Sequence, residues 1–225
     1  MYCAIEGVIG VGKTTLARLL QPRLDANLLL EVFEENPFLS NFYADRARYA
    51  FQTQIFFLLS RYYQQNRNVP QLLATGKPLI SDYTFEKDAL FASINLKGDE
   101  LEMYYRVHEA LAEKMISPSL VVYLRASTET LMQRITLRDR PYERNIEIGY
   151  IEELNRAYDA FYLNSAQRKS QVLVIDTNVL DFVHNPDDLD WVENRIRQAL
   201  LMAPFQPFLP LPGEQTASTA EGSSE

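Results

Sequence analysis

The stretch Glu6 to Thr15, EGVIGVGKTT, fills every fixed position of G-x-x-x-x-G-K-[ST] between Gly7 and Thr14. Glycines at 7, 10 and 12 let a backbone curl until successive N–H groups point inward, and the helix that follows adds the positive end of its dipole. Such a nest takes a triphosphate, so Gly7, Val8, Ile9, Gly10, Val11, Gly12, Lys13, Thr14 and Thr15 are candidates for holding ATP. Lys13 would reach the β and γ phosphates as a point charge, and the Thr14 hydroxyl would face Mg²⁺. The competing reading is a plain turn between a strand and a helix. Other groups with chemical potential lie downstream. Glu34 and Glu35 follow an apolar run, as a solvated pair or as carboxylates at the mouth of a cleft. Asp82 follows Pro78 to Ser81, the place of a Mg²⁺-side carboxylate in phosphate-loop proteins. Arg134, Arg138, Arg140 and Arg144 fall within eleven residues, either a solvated helix end or a lid over phosphates.

These groups suit phosphoryl transfer better than nucleotide hydrolysis. The chain has no N-K-x-D for guanine, no D-x-x-G after the third expected strand and no ABC-type signature. A transferase needs a carboxylate beside an acceptor hydroxyl, cations to screen the moving charge, and a closed site that keeps water from the phosphate.

Positioning such groups requires a sheet. Short apolar runs at Tyr2 to Ile5, Leu28 to Phe33, Pro78 to Ser81, Leu120 to Leu124 and Val172 to Ile175 alternate with helix-like sequence. That alternation predicts an α/β fold: a five-stranded parallel sheet in three layers, with helices on both faces. Helices are expected over Asp45 to Asn66, Asp99 to Met115, Ser127 to Arg138, Gly149 to Ala166 and Asp187 to Leu201. In the first, Phe51, Ile55, Leu58 and Tyr62 share a stripe, and Phe56, Phe57, Tyr62 and Tyr63 read as mostly core. Trp191, in an amphipathic last helix, also reads as core.

With 225 residues and 47% hydrophobic content, one core is expected over residues 1 to 202, followed by a Pro-rich, then polar and disordered tail over 203 to 225. A net charge of -8 argues against nucleic-acid or anionic-membrane binding. The lone Cys3, the absence of a spanning run and the immediate entry into a strand predict a cytoplasmic chain with no signal peptide. His108 and His184 are far apart and lack metal-ligand company.

Five stretches in order resemble the deoxynucleoside kinases, and within them the bacterial deoxyadenosine and deoxyguanosine kinases: EGVIGVGKTT, EENPFLSNFY, FQTQIFFLLSR, SDYTFEKDALFASINL and RITLRDRPYERNIE. The resemblance covers about residues 1 to 200. It implies transfer of the γ-phosphoryl group of ATP, with Mg²⁺, to the 5'-hydroxyl of a purine deoxynucleoside, in a homodimer. Carried across by position, it implies that Glu34, or Glu35 if the register slips by one, takes the proton of the 5'-hydroxyl and lies near the metal. Tyr43 and Glu143 would hold the 3'-hydroxyl, and Gln54, aligned in preference to Gln52, would meet the base, with Arg61 facing the pocket one heptad on. Arg134, Arg138 and Arg140 would contact phosphates. One departure stands out. Where many relatives carry an acidic residue, Arg and Ser, this chain has Ser81-Asp82-Tyr83, which leaves Asp82 and Lys87 as site candidates without assigned roles. The alternative activity is that of a nucleoside monophosphate kinase of thymidylate-kinase type, which would need a cationic site for the acceptor's own phosphate.

Overall fold

The computed structural model describes residues 1–33, 36–163 and 170–201. Five strands, β1 (Tyr2–Gly7), β2 (Asn27–Leu29), β3 (Leu79–Ser81), β4 (Leu120–Arg125) and β5 (Gln171–Asp176), form one sheet in the order β2-β3-β1-β4-β5. Every pairing is parallel, with Ala4 opposite both Ser81 and Val121. β1 is buried along its whole length and β4 along all but its last residue, as expected of central parallel strands covered on both faces. From β1 the chain crosses to β2 on one side, and from β3 it crosses back past β1 to β4 on the other. The carboxyl end of β1 is therefore the switch point where an open α/β sheet binds ligands, and the glycine loop begins there.

The helices are α1 (Lys13–Arg23), α2 (Leu39–Ala44), α3 (Arg46–Leu73), α4 (Lys87–Asn95), α5 (Gly98–Ala112), α6 (Thr128–Arg138), α7 (Ile148–Leu163) and α8 (Pro186–Ala199). α2 and α4 were not expected from the sequence. α3 starts at Asp45, whose side chain accepts from the Arg48 N–H, and runs about two turns beyond the expected stop at Asn66, carrying Pro70 near its end. Leu58 is fully buried in the middle of the expected stripe, whereas Tyr63 is mainly exposed. Trp191 corrects another expectation. It is 48% exposed, with the Arg195 guanidinium 5.9 Å from its ring centroid.

β2 is also shorter than the apolar run suggested. β3 ends at Ser81, so residues 30–33 have no strand to pair with, and side chains satisfy their backbone instead: the Asp82 carboxylate accepts the Glu31 N–H at 2.8 Å and Gln64 donates to the Leu30 carbonyl at 2.8 Å. The residues expected to form the tail, and the end of the helix expected to reach Ala166, lie outside the described residues.

α6 carries the arginines, and its start is fixed by Ser127, whose hydroxyl accepts the Thr130 N–H at 3.1 Å. It ends at Asp139, in the left-handed conformation at φ 46°, and a single 3-10 turn over Pro141–Glu143 follows. Replacing Ser127 by Ala should lower the unfolding free energy by about 1 kcal/mol, read by urea denaturation.

Candidate active site

The glycine loop is built on positive φ values: 148° at Gly7, 88° at Gly10 and 104° at Gly12. Side chains are excluded there as well, since a Cβ at Gly10 would lie 2.8 Å from Ile135 Cγ1 and one at Gly7 would meet the Leu124 carbonyl oxygen. Ile9, Gly10, Gly12, Lys13, Thr14 and Thr15 line a cavity of about 490 Å³, whereas Gly7, Val8 and Val11 are buried and are not part of its lining. Lys13 Nζ donates to the Gly7 carbonyl at 2.7 Å and to that of Val8 at 3.1 Å. Burial and then the nearby Lys87 push its pKa down to about 8, against the opposing charges of Glu6, Glu31 and Asp82.

From Thr14 a chain of polar contacts runs across the cavity floor. The Thr14 hydroxyl donates to Asp82 Oδ2 at 2.5 Å, and Asp82 Oδ1 accepts from the backbone of Glu31. The Glu31 carboxylate is clamped by two cations, accepting from Arg61 Nε at 2.8 Å and Lys87 Nζ at 2.6 Å. Burial alone would raise the pKa of Glu31, but Arg61 and Lys87 hold it well below the usual carboxylate range. Arg61 also pairs with the fully buried Asp88 and lies 4.5 Å from the centroid of Phe57, which lines the same cavity.

α3 supplies the far wall through Gln54, Phe57 and Arg61, on one face of a single helix. Gln54 is buried and lines the cavity, whereas Gln52 is exposed. Tyr43 of α2 joins this wall, and burial first, then Tyr150 and Glu143, raise its pKa well above the ordinary tyrosine value.

The arginines divide. Arg138 grips both oxygens of the buried Glu143, at 2.7 Å and 2.6 Å from its Nη2, and Arg140 Nη1 lies 3.5 Å from the same carboxylate. The Arg140 guanidinium stacks 4.3 Å from the Phe33 ring centroid, and all of these residues face the cavity. Arg134 lies elsewhere. It donates to the Thr177 carbonyl at 2.7 Å, the Thr177 hydroxyl at 3.0 Å and the Val11 carbonyl at 3.4 Å, bracing the loop from behind. Arg144 pairs with Asp139 in the open.

Of the acceptor-side candidates, Tyr43, Gln54, Arg61, Asp82, Lys87 and Glu143 therefore meet in one cavity, whereas Glu34 and Glu35 lie outside the described residues. Sequence reasoning missed Glu31. Its signal was a carboxylate inside the run Leu28 to Phe33, since a charge within a strand expected to be buried on both faces needs a partner. Thr14 and Asp82 fit Mg²⁺, which characteristically takes one or two protein oxygens and completes its shell with water and phosphate. Among the described residues no group of three His, Cys, Asp or Glu could hold a metal by itself.

The deoxynucleoside kinase family model matches residues 3–201. A deoxyguanosine kinase of Bacillus subtilis is 35% identical over 202 residues, covering 89% of this chain and 98% of its own. A deoxyadenosine kinase of Dictyostelium discoideum is 33% identical over 193 residues, covering 84% of this chain and 76% of its own. Among solved structures, deoxyadenosine kinase from M. mycoides with bound dATP superimposes with a TM-score of 0.76 at 28% identity, covering 88% of this chain and 100% of that one.

Replacing Gly10 by Ala forces a left-handed alanine against Ile135. The expected result is a stability loss of about 1–3 kcal/mol by thermal unfolding, together with weakened ATP binding by calorimetry. Unchanged ATP affinity would contradict the role given to the loop.

Proposed function

Because the chain belongs to the deoxynucleoside kinase family and so phosphorylates deoxynucleosides with ATP, we propose that its acceptor is a purine deoxynucleoside and that the phosphoryl group goes to the 5'-hydroxyl. The carrying observation is the unbroken polar chain from Thr14 through Asp82 and Glu31 to Arg61. It joins the phosphate loop to the wall bearing Gln54. The triphosphate lies along the loop amides and Lys13, and the nucleoside lies against Gln54 and Phe57. The buried Gln54 amide offers a donor and an acceptor to a purine edge, and Phe57 offers a ring face. The relatives named for deoxyguanosine or deoxyadenosine support the purine assignment. Tyr43 and Glu143 receive the 3'-hydroxyl, which places Arg138 and Arg140, both paired with Glu143, next to the transferring group.

Glu31 is the carboxylate we assign to the 5'-hydroxyl. Its depressed pKa makes it a weak base, which suits a loose phosphoryl-transfer transition state: the hydroxyl needs orientation first and gives up its proton late. Lys87 beside it balances its charge. Mg²⁺ would be held by Thr14 and Asp82, and when bound it neutralises charge on the β and γ oxygens. A nucleoside monophosphate as acceptor is disfavoured because the cations at this wall, Arg61 and Lys87, are already committed to Glu31 and Asp88.

Assembly as a homodimer is supported by Leu59 and Tyr63, exposed one turn apart on α3. Cytoplasmic residence fits the buried, unpaired Cys3, and no helix among the described residues is long and apolar enough to cross a membrane.

ATP consumption across a panel of deoxynucleosides and their monophosphates tests the acceptor. Purine deoxynucleosides should be used well and the monophosphates hardly at all. Glu31→Gln should lower kcat roughly 100-fold or more while nucleoside affinity changes little. Glu34→Gln, measured beside it, separates the two carboxylates: a larger fall in kcat there than in Glu31→Gln would hand the role to Glu34. Gln54→Ala should raise the nucleoside KM roughly tenfold, the value of one buried hydrogen bond lost, with ATP affinity unchanged.

A further inference from the structure

Glu6, in β1, is fully buried, and the transfer chemistry above leaves it without a task. Its carboxylate gathers donors from three segments. Oε1 accepts from the Thr84 N–H at 2.6 Å and the Thr84 hydroxyl at 3.0 Å, while Oε2 accepts from the Gly7 N–H at 3.2 Å and the Tyr158 hydroxyl at 3.4 Å. A buried carboxylate is costly unless it is hydrogen-bonded or paired, so four donors around one group mark a site whose geometry is specified on both sides. Burial raises the Glu6 pKa, and Lys87, Lys13 and the two bonds from Thr84 oppose that rise.

The location explains what is being specified. Thr84 lies two residues after Asp82 and three before Lys87, in the stretch that leaves the sheet at Ser81 and enters α4 at Lys87. Upstream, the stretch is tied by pairing of Ser81 with Ala4 and Leu29 and by the Asp82 N–H, which donates to the Leu29 carbonyl at 3.3 Å. Downstream, the tie is Thr84 on Glu6. Gly7, where the phosphate loop begins, hangs from the same carboxylate. The two oxygens proposed for Mg²⁺, on Thr14 and Asp82, thus belong to two segments that share one anchor.

We infer that Glu6 is a positioning residue: by holding Gly7 and Thr84 on one carboxylate, it sets the Asp82 side chain against the Thr14 hydroxyl and thereby the divalent-cation site. This rests on the assignment of Thr14 and Asp82 to the cation. Glu6 touches neither nucleotide nor metal and acts only through the two segments it joins. Glutamine at this position would turn an amide N–H₂ toward one pair of donors and loosen one tie.

The test is a titration of Mn²⁺ as a spectroscopic probe, followed by electron paramagnetic resonance, into protein saturated with a non-hydrolysable ATP analogue. Three variants accompany the wild type: Glu6→Gln, Thr84→Val, which removes one of the four donors at little change in shape, and Val192→Ala, a core position in α8 that serves as a control for stability loss alone. Glu6→Gln and Thr84→Val should weaken Mn²⁺ binding roughly tenfold or more, as loss of partners that orient metal ligands does, and Val192→Ala should not. In turnover, the two network variants should need more Mg²⁺ for half-maximal rate while the nucleoside KM stays near wild type. Wild-type cation affinity in Glu6→Gln overturns the inference. So does wild-type affinity in Thr84→Val if Glu6→Gln fails to fold, and so does equal weakening in all three. The Mn²⁺ titration contains no acceptor, so it decides this point whichever nucleoside the enzyme uses.

Discussion

The organisation of the site follows from the need to pair charges out of water. Glu31, Asp88, Lys87 and Arg61 are all at least half-buried, and each pairs with another of the group. An unpaired buried charge costs several kcal/mol, so removing one member leaves its partner stranded and reorganises the rest. The cost has a return in geometry. Because Arg61 comes from α3, Lys87 from α4 and Glu31 from the segment after β2, the pairs fix three elements relative to one another without any regular hydrogen-bond ladder between them. Low dielectric also strengthens each interaction aimed at a transferring phosphoryl group.

The sheet serves this arrangement by delivering chain ends. β1 ends in the loop, β3 ends at Ser81, just before Asp82, and β2 ends early enough that Glu31 leaves the sheet and turns to the cavity. Each strand thus stops where a functional group must begin, and the unpaired backbone is satisfied by side chains from neighbouring segments. The early end of β2 is as much a part of the site as its side chains.

What could be read from the sequence was what depends on local pattern. The parallel sheet, the phosphate loop and most helix positions follow from periodicity, apolar runs and glycine spacing. So does the placement of Gln54 on a helix face seven residues from Arg61. What could not be read depends on partners far along the chain. Glu31 finds Arg61 thirty residues away and Lys87 fifty-six away, and nothing near Glu31 announces either. Arg134 looks like its neighbours in an arginine cluster, yet its guanidinium is taken up by carbonyls of Val11 and Thr177. Only the fold distinguishes an arginine that braces a loop from one that faces the cavity. Trp191 followed helical periodicity but sits on the margin of the apolar face, where its flank meets Arg195.

The bracing of the phosphate loop carries a consequence for how the molecule is made. Gly12 would place a Cβ 3.1 Å from Phe182 Cζ, and Arg134 ties Val11 to Thr177, so the loop is supported by a segment made much later than itself. Some 170 residues separate Gly12 from Phe182, which at a typical synthesis rate is on the order of ten to thirty seconds. Throughout that interval the growing polypeptide has the glycines and the lysine of a nucleotide site but lacks the wall that steadies them. Nucleotide capture is thereby deferred until Thr177 and Phe182 have been made, and a truncated product ending before residue 177 would carry the motif without its support.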